Sequence, residues 1–141
     1  MKIEDTGKIE AANKAFYRAL ESGSLELMDE IWEHGDGVRC VHPGWEMITG
    51  WPRVRDSWTK ILENGQKMRV SPTDVWIRMV GDIAFVTCTE NITVFDETSF
   101  DTAQAVATNL FVRIDDKWLM IHHHASPVPM LVPDTSSDTI Q

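Results

Sequence analysis

The sequence predicts an α+β domain with its helices first and its sheet last. Three observations carry this reading. Through the first half, apolar residues recur at helical spacing. From Met68 onward the period changes from 3.6 to 2. In that second half, Gly81-Asp82 and Asp115-Asp116 are tight-turn pairs, with a third link near Asp96–Thr98. Long strands joined by such short turns make an antiparallel meander, and the three helices must cover one of its faces.

Each element follows in order. Ile9, Ala12, Phe16 and Leu20 form the stripe of a first helix that starts near Ile3 and stops at Gly23. Ser24 is placed to cap a short second helix whose stripe is Leu25, Met28, Ile31 and Trp32, and Gly35 and Gly37 end it. Val38 to His42 is a short strand broken by Pro43-Gly44, and residues 44–50 read as a loop carrying Trp45. Pro52 suits the first turn of a third helix, where its missing N–H costs nothing. That helix carries Val54, Trp58, Ile61 and Leu62 and closes at Asn64-Gly65. The four strands then span about 69–80, 82–95, 99–114 and 117–126. Residues 1–128 make one domain, and the proline-rich segment 129–141 reads as a flexible tail.

Composition limits the partners. The chain has 141 residues and a net charge of −9, with no cluster of Lys and Arg, which disfavours nucleic acid and anionic membrane surfaces. No apolar run approaches the roughly 20 residues of a membrane span. The charged N-terminus lacks the apolar region of a signal peptide, so a cytoplasmic location is expected. Cys40 and Cys88 are far apart and suit two free thiols in a reducing compartment.

Several residue types carry chemistry. His42 ends a strand beside a Pro-Gly turn, and a histidine there can act as a general base or be satisfied by backbone. His122, His123 and His124 form a run in which alternation sends His123 one way and its neighbours the other. His122 and His124 would need a third ligand from a neighbouring strand, such as Glu90 or Asp101, to hold a metal, so neither a metal nor another cofactor is assigned. Six tryptophans serve either a pocket or the core and interfaces. No nucleophile elbow and no glycine-rich phosphate loop is present.

The strings "LESGSLELMDEIW", "VHPGW", "DSWTKIL" and "ATNLFVRIDDKWLMIHHHASP" resemble SnoaL-like domains of the nuclear transport factor 2-like superfamily over roughly residues 8–128. The resemblance implies a cone-shaped α+β barrel of cystatin-like type, with the curved sheet around a pocket and a homodimer paired through the sheet. The superfamily includes ketosteroid isomerases, polyketide cyclases and dehydratases. It also includes non-catalytic members such as the association domain of calmodulin-dependent kinases, so fold alone does not choose a function.

Laid over the chain, the isomerase pattern puts Phe16 at the tyrosine position with Tyr17 beside it. His42 falls at the general base and Asn109 near the oxyanion-binding acid, so none of the three matches in identity. The same overlay places Leu119, Ile121, His123 and Ala125 inside the cone. On the preceding strand the inner set is Ala103, Ala105, Ala107, Asn109 and Phe111. The expected small-molecule site therefore has His42, Asn109 and His123 as acid–base and oxyanion groups. Phe16, Tyr17, Trp45, Trp58, Phe111 and Ile121 line it. Isomerisation, cyclisation or dehydration of an apolar compound fits that set. The alternative is a non-catalytic homodimeric association module whose cone is filled by its own side chains.

Overall fold

A computed structural model describes residues 3–129. The elements are α1 (Ile3–Ser22), α2 (Leu25–Ile31), β1 (Arg39–Val41), β2 (Ile48–Thr49), α3 (Trp51–Leu62), β3 (Lys67–Val80), β4 (Ile83–Phe95), β5 (Phe100–Ile114) and β6 (Lys117–Val128). The tail expected at 129–141 lies, apart from Pro129, outside the described residues.

Local chemistry explains the boundaries. The Ser24 hydroxyl accepts the Leu27 N–H at 3.1 Å and caps α2. Pro52 lies in the first turn of α3. Asp115 and Asp116 both adopt left-handed backbone, which a type I′ hairpin turn requires between β5 and β6. The β4–β5 link is held by Asp96, whose Oδ1 accepts the N–H groups of Thr98 and Ser99.

The strands form one six-stranded sheet in the order β2-β1-β6-β5-β4-β3. All pairings are antiparallel except β1 with β6. The sheet stays open, with β2 and β3 as its edges. The short β2 falls inside the expected 44–50 loop and forms a hairpin with β1. Its two residues are too few to show a period.

The core sits between the helices and the inner face of the sheet. Ile9, Phe16, Met28, Trp32, Val54 and Trp58 come from the helices, and Val86, Phe111 and Met120 from the strands. One register feature sets which residues of β6 join them. Leu110 pairs with His122 but Phe111 pairs with Met120, so Ile121 is an extra residue in a β-bulge. Antiparallel partners share a face, so Asn109 with His123 and Phe111 with Met120 all point inward. This corrects the expected inner set. Trp118 and Met120 are buried in the core, whereas Leu119 and Ile121 are only partly buried, because the bulge shifts the alternation by one residue. Of the alanines on β5, Ala105 and Ala107 are buried, and Ala103 is exposed where the sheet runs past the helices.

Candidate functional site

His42 lies one residue beyond β1, which runs parallel to β6 with Cys40 opposite His123. His42 is only 3% exposed. Trp58 and Trp45 meet it edge-on, at centroid distances of 4.5 and 4.8 Å. The Ser57 hydroxyl donates its one proton to the Val54 carbonyl at 2.7 Å. It therefore accepts from His42 Nε2–H at 2.8 Å, leaving Nδ1 with its lone pair. Burial lowers the His42 pKa to about 4, so the ring is neutral near pH 7.

Asn109 and His123 face each other across β5 and β6. The amide oxygen can only accept, so the 2.6 Å contact places a proton on His123 Nδ1. The Asn109 amide nitrogen donates to Asn13 Oδ1 at 2.9 Å and to the Tyr17 hydroxyl at 3.1 Å. Tyr17 in turn donates to Glu90 Oε2 at 2.6 Å and touches Cys88 Sγ at 3.2 Å. The donors of His123, Asn109 and Tyr17 thus run in one direction and end on a carboxylate. Every side chain in this chain of hydrogen bonds is buried.

The electrostatics follow from that burial. Burial, followed by the neighbouring His42, His122 and His124, lowers the His123 pKa to about 3. Burial raises the Glu90 carboxyl above its ordinary value, with the Tyr17 hydrogen bond opposing it. Burial also raises Tyr17, with the Glu90 charge adding to the effect. The Cys40 and Cys88 thiols are free, and burial pushes both up.

The space between His42 and His123 is occupied. Their centroids are 6.5 Å apart. Trp58 lies 5.9 Å from His123, and Phe16 lies 4.8 Å from His123 and 5.6 Å from Trp58. The four rings form one packed cluster, where the sequence led us to expect an opening. Phe111 is core, paired with Met120. Trp45 is 45% exposed and lines a surface cleft of about 610 Å³ with Met47, Arg53, Asp56, Ser57 and Lys60. His42 lies just behind two of these residues, Trp45 and Ser57.

Of the residues named from the sequence, His42, Asn109, His123, Phe16, Tyr17 and Trp58 are neighbours in the structure. Sequence reasoning missed Asn13, Ser57 and Glu90. A signal existed for two of them. Asn13 interrupts the apolar face of α1, four residues from both Ile9 and Tyr17. Glu90 ends the inward series Ala84, Val86 and Cys88 on β4. Glu90 was also considered as a metal partner for His122 and His124. It faces the core with Ala105, whereas they lie on the opposite face of the sheet, so it cannot serve them. Among the described residues, no group of three or more His, Cys, Asp or Glu could hold a metal ion, and no helix is long and apolar enough to cross a membrane.

The family model of the SnoaL-like domain matches residues 9–131. The chain belongs to the SnoaL-like domain family. A solved relative of this SnoaL-like protein is a candidate dehydratase of the NTF2-like family from Streptomyces avermitilis. It is 38% identical with a TM-score of 0.83, and the match covers 90% of this chain and 98% of that one. Another is a candidate calcium/calmodulin-dependent protein kinase type II association domain from Thiobacillus denitrificans. It is 33% identical with a TM-score of 0.72, covering 85% of this chain and 94% of that one. A curated relative is the F-box protein SKIP8 of Arabidopsis thaliana, 29% identical over 129 residues, or 92% of this chain. The SnoaL-like chain spans about half, 52%, of that relative's length.

Proposed function

We propose that this SnoaL-like domain is an association module that pairs with a second copy of itself through the uncovered face of its sheet. The observation that carries the reading is the packed ring cluster of Phe16, His42, Trp58 and His123, which fills the interior where a ligand would otherwise sit. The opposite face of the sheet offers the contact surface. Trp76, Val80 and Val106 are 50%, 57% and 50% exposed there, beside the partly buried Phe85 and Leu110. Strands of 12 to 15 residues give a face about 40 Å long and about 19 Å wide over β3–β6. That is on the order of 800 Å², the area each partner buries in a standard stable interface. Similarity to a candidate association domain points the same way.

Sedimentation equilibrium of the chain and of Val106→Glu tests this. A dimer or larger assembly that Val106→Glu dissociates is expected. A chain that stays monomeric at every concentration would sink the reading.

A second reading, acid–base chemistry on a small molecule, is favoured by one specific set of groups. Two neutral imidazoles pack against the Trp58 ring, whose indole N–H has no acceptor among the described residues, and a directed hydrogen-bond chain runs from His123 to Glu90. The 38% identical relative is a candidate dehydratase. On this reading Trp45 and the adjacent cleft form the way in to His42. Histidine NMR during a screen of small hydroxy and keto compounds tests it. A compound that shifts the His42 and His123 signals, and loses affinity in His42→Ala and Asn109→Ala, supports it. Absence of any such shift excludes it.

A further inference from the structure

The His122 and His124 pair takes no part in the buried network. Strand alternation puts both rings on the uncovered face of β6, with centroids 6.2 Å apart. Strand β6 lies inside the sheet between β1 and β5, so the pair stands along one side of the β3–β6 face and away from the sheet edge. Neither ring is hydrogen-bonded to another described residue, and His124 is exposed.

We propose that His122 and His124 form one half of a divalent transition-metal site, zinc by its ligand set, which a second copy of the chain completes with the same pair. This rests on the association reading above. The interface of a two-fold dimer uses the same patch on both copies. Two-fold pairing about β6 therefore brings four imidazoles together. Four neutral nitrogens at about 2.0–2.1 Å satisfy tetrahedral zinc without a carboxylate or a thiolate.

The surroundings fit this division of labour. The register neighbours of the pair are Arg39 and Val41 from β1, and Leu110 and Thr108 from β5. None is a metal ligand, and among the described residues no group of three or more His, Cys, Asp or Glu could hold a metal ion, so those of one chain do not complete the coordination sphere. Arg39, the one charged group in that set, turns its Nη1 to the backbone oxygens of Asp36 and Val38. Rotation about the side-chain torsions can aim one nitrogen of each ring at a shared ion.

The test is calorimetric titration of EDTA-treated protein with zinc chloride, together with sedimentation equilibrium with and without zinc. One zinc per two chains is expected, with the dimer dissociation constant lowered about tenfold or more. His122→Ala and His124→Ala should each abolish that zinc-dependent tightening, read against the same variant's own metal-free association, while keeping the melting temperature of the parent. His122→Gln provides the same test should the alanine variant fold poorly. One zinc per chain without tighter association, or no binding, overturns the proposal. A metal-free dimer that zinc leaves unchanged overturns the metal site alone. A chain that stays monomeric with and without zinc overturns the association reading as well.

Discussion

Tyr17 donates its hydroxyl proton to Glu90 across 2.6 Å, joining α1 to β4 over 73 residues of chain. The contact is buried at both ends and supplies the only protein hydrogen bond described for the Glu90 carboxylate. Tyr17→Phe removes the donor and leaves a buried acceptor unpaired. A loss of about 1–3 kcal/mol is expected in urea unfolding. Glu90→Gln keeps an acceptor for the hydroxyl and should not show this loss. No loss in Tyr17→Phe would show that ring packing, which phenylalanine keeps, and not the hydrogen bond is what Tyr17 contributes.

The two buried histidines predict an acid-labile fold. Both folded values, about 4 for His42 and about 3 for His123, lie below the ordinary 6.5. Unfolded histidines therefore take up protons first as pH falls. Their contribution is present above about 6.5 and is lost as pH drops towards the folded values. Thermal melts from pH 8 to pH 4 should show this decline, and it should be shallower in His42→Gln and His123→Gln. An unchanged slope in both variants would place the acid sensitivity elsewhere.

Glu90 works in the opposite direction. Its folded pKa is raised by burial above the ordinary 4.5. The folded state thus holds the proton longer, and stability is lost as pH rises from 4.5 through the folded value. Glu90→Gln should gain stability relative to the parent on the neutral side and little below pH 4.5. A variant less stable than the parent at pH 8 would mean that the ionised carboxylate is itself stabilising.

The bulge at Ile121 makes a contrast between adjacent residues. Met120 is fully buried, and Leu119 is partly exposed on the other face. Met120→Ala should cost about 2–5 kcal/mol and Leu119→Ala much less. The original alternation, with Leu119 inside, predicts the reverse order, so one pair of denaturation curves decides the register.

The ring cluster carries its own test. Trp58 is 2% exposed and touches His42, Phe16 and His123. Trp58→Ala should cost about 3–5 kcal/mol, and Trp45→Ala, at a half-exposed loop position, far less. Similar losses would show that Trp45 holds the 43–47 loop on the core rather than standing at its surface.

What the sequence by itself determined was local. The 3.6-residue stripes of α1 and α3, the Ser24 cap, the Asp115-Asp116 turn and the alternation of β4 and β5 depend on residues a few positions apart, and all were legible. His42, Asn109 and His123 could be named as neighbours because the resemblance supplied long-range placement. The tertiary structure decided the rest. One extra residue at Ile121 reversed the faces of the first part of β6, a change that depends on how β6 pairs with β5. Parallel pairing of β1 with β6 set His42 beside the Trp58 and His123 rings. The hydrogen bonds from Asn109 to Asn13 and Tyr17 span 96 and 92 residues, and the one from Tyr17 to Glu90 spans 73. Such contacts leave no periodic trace, because each requires burial that neither partner can create alone.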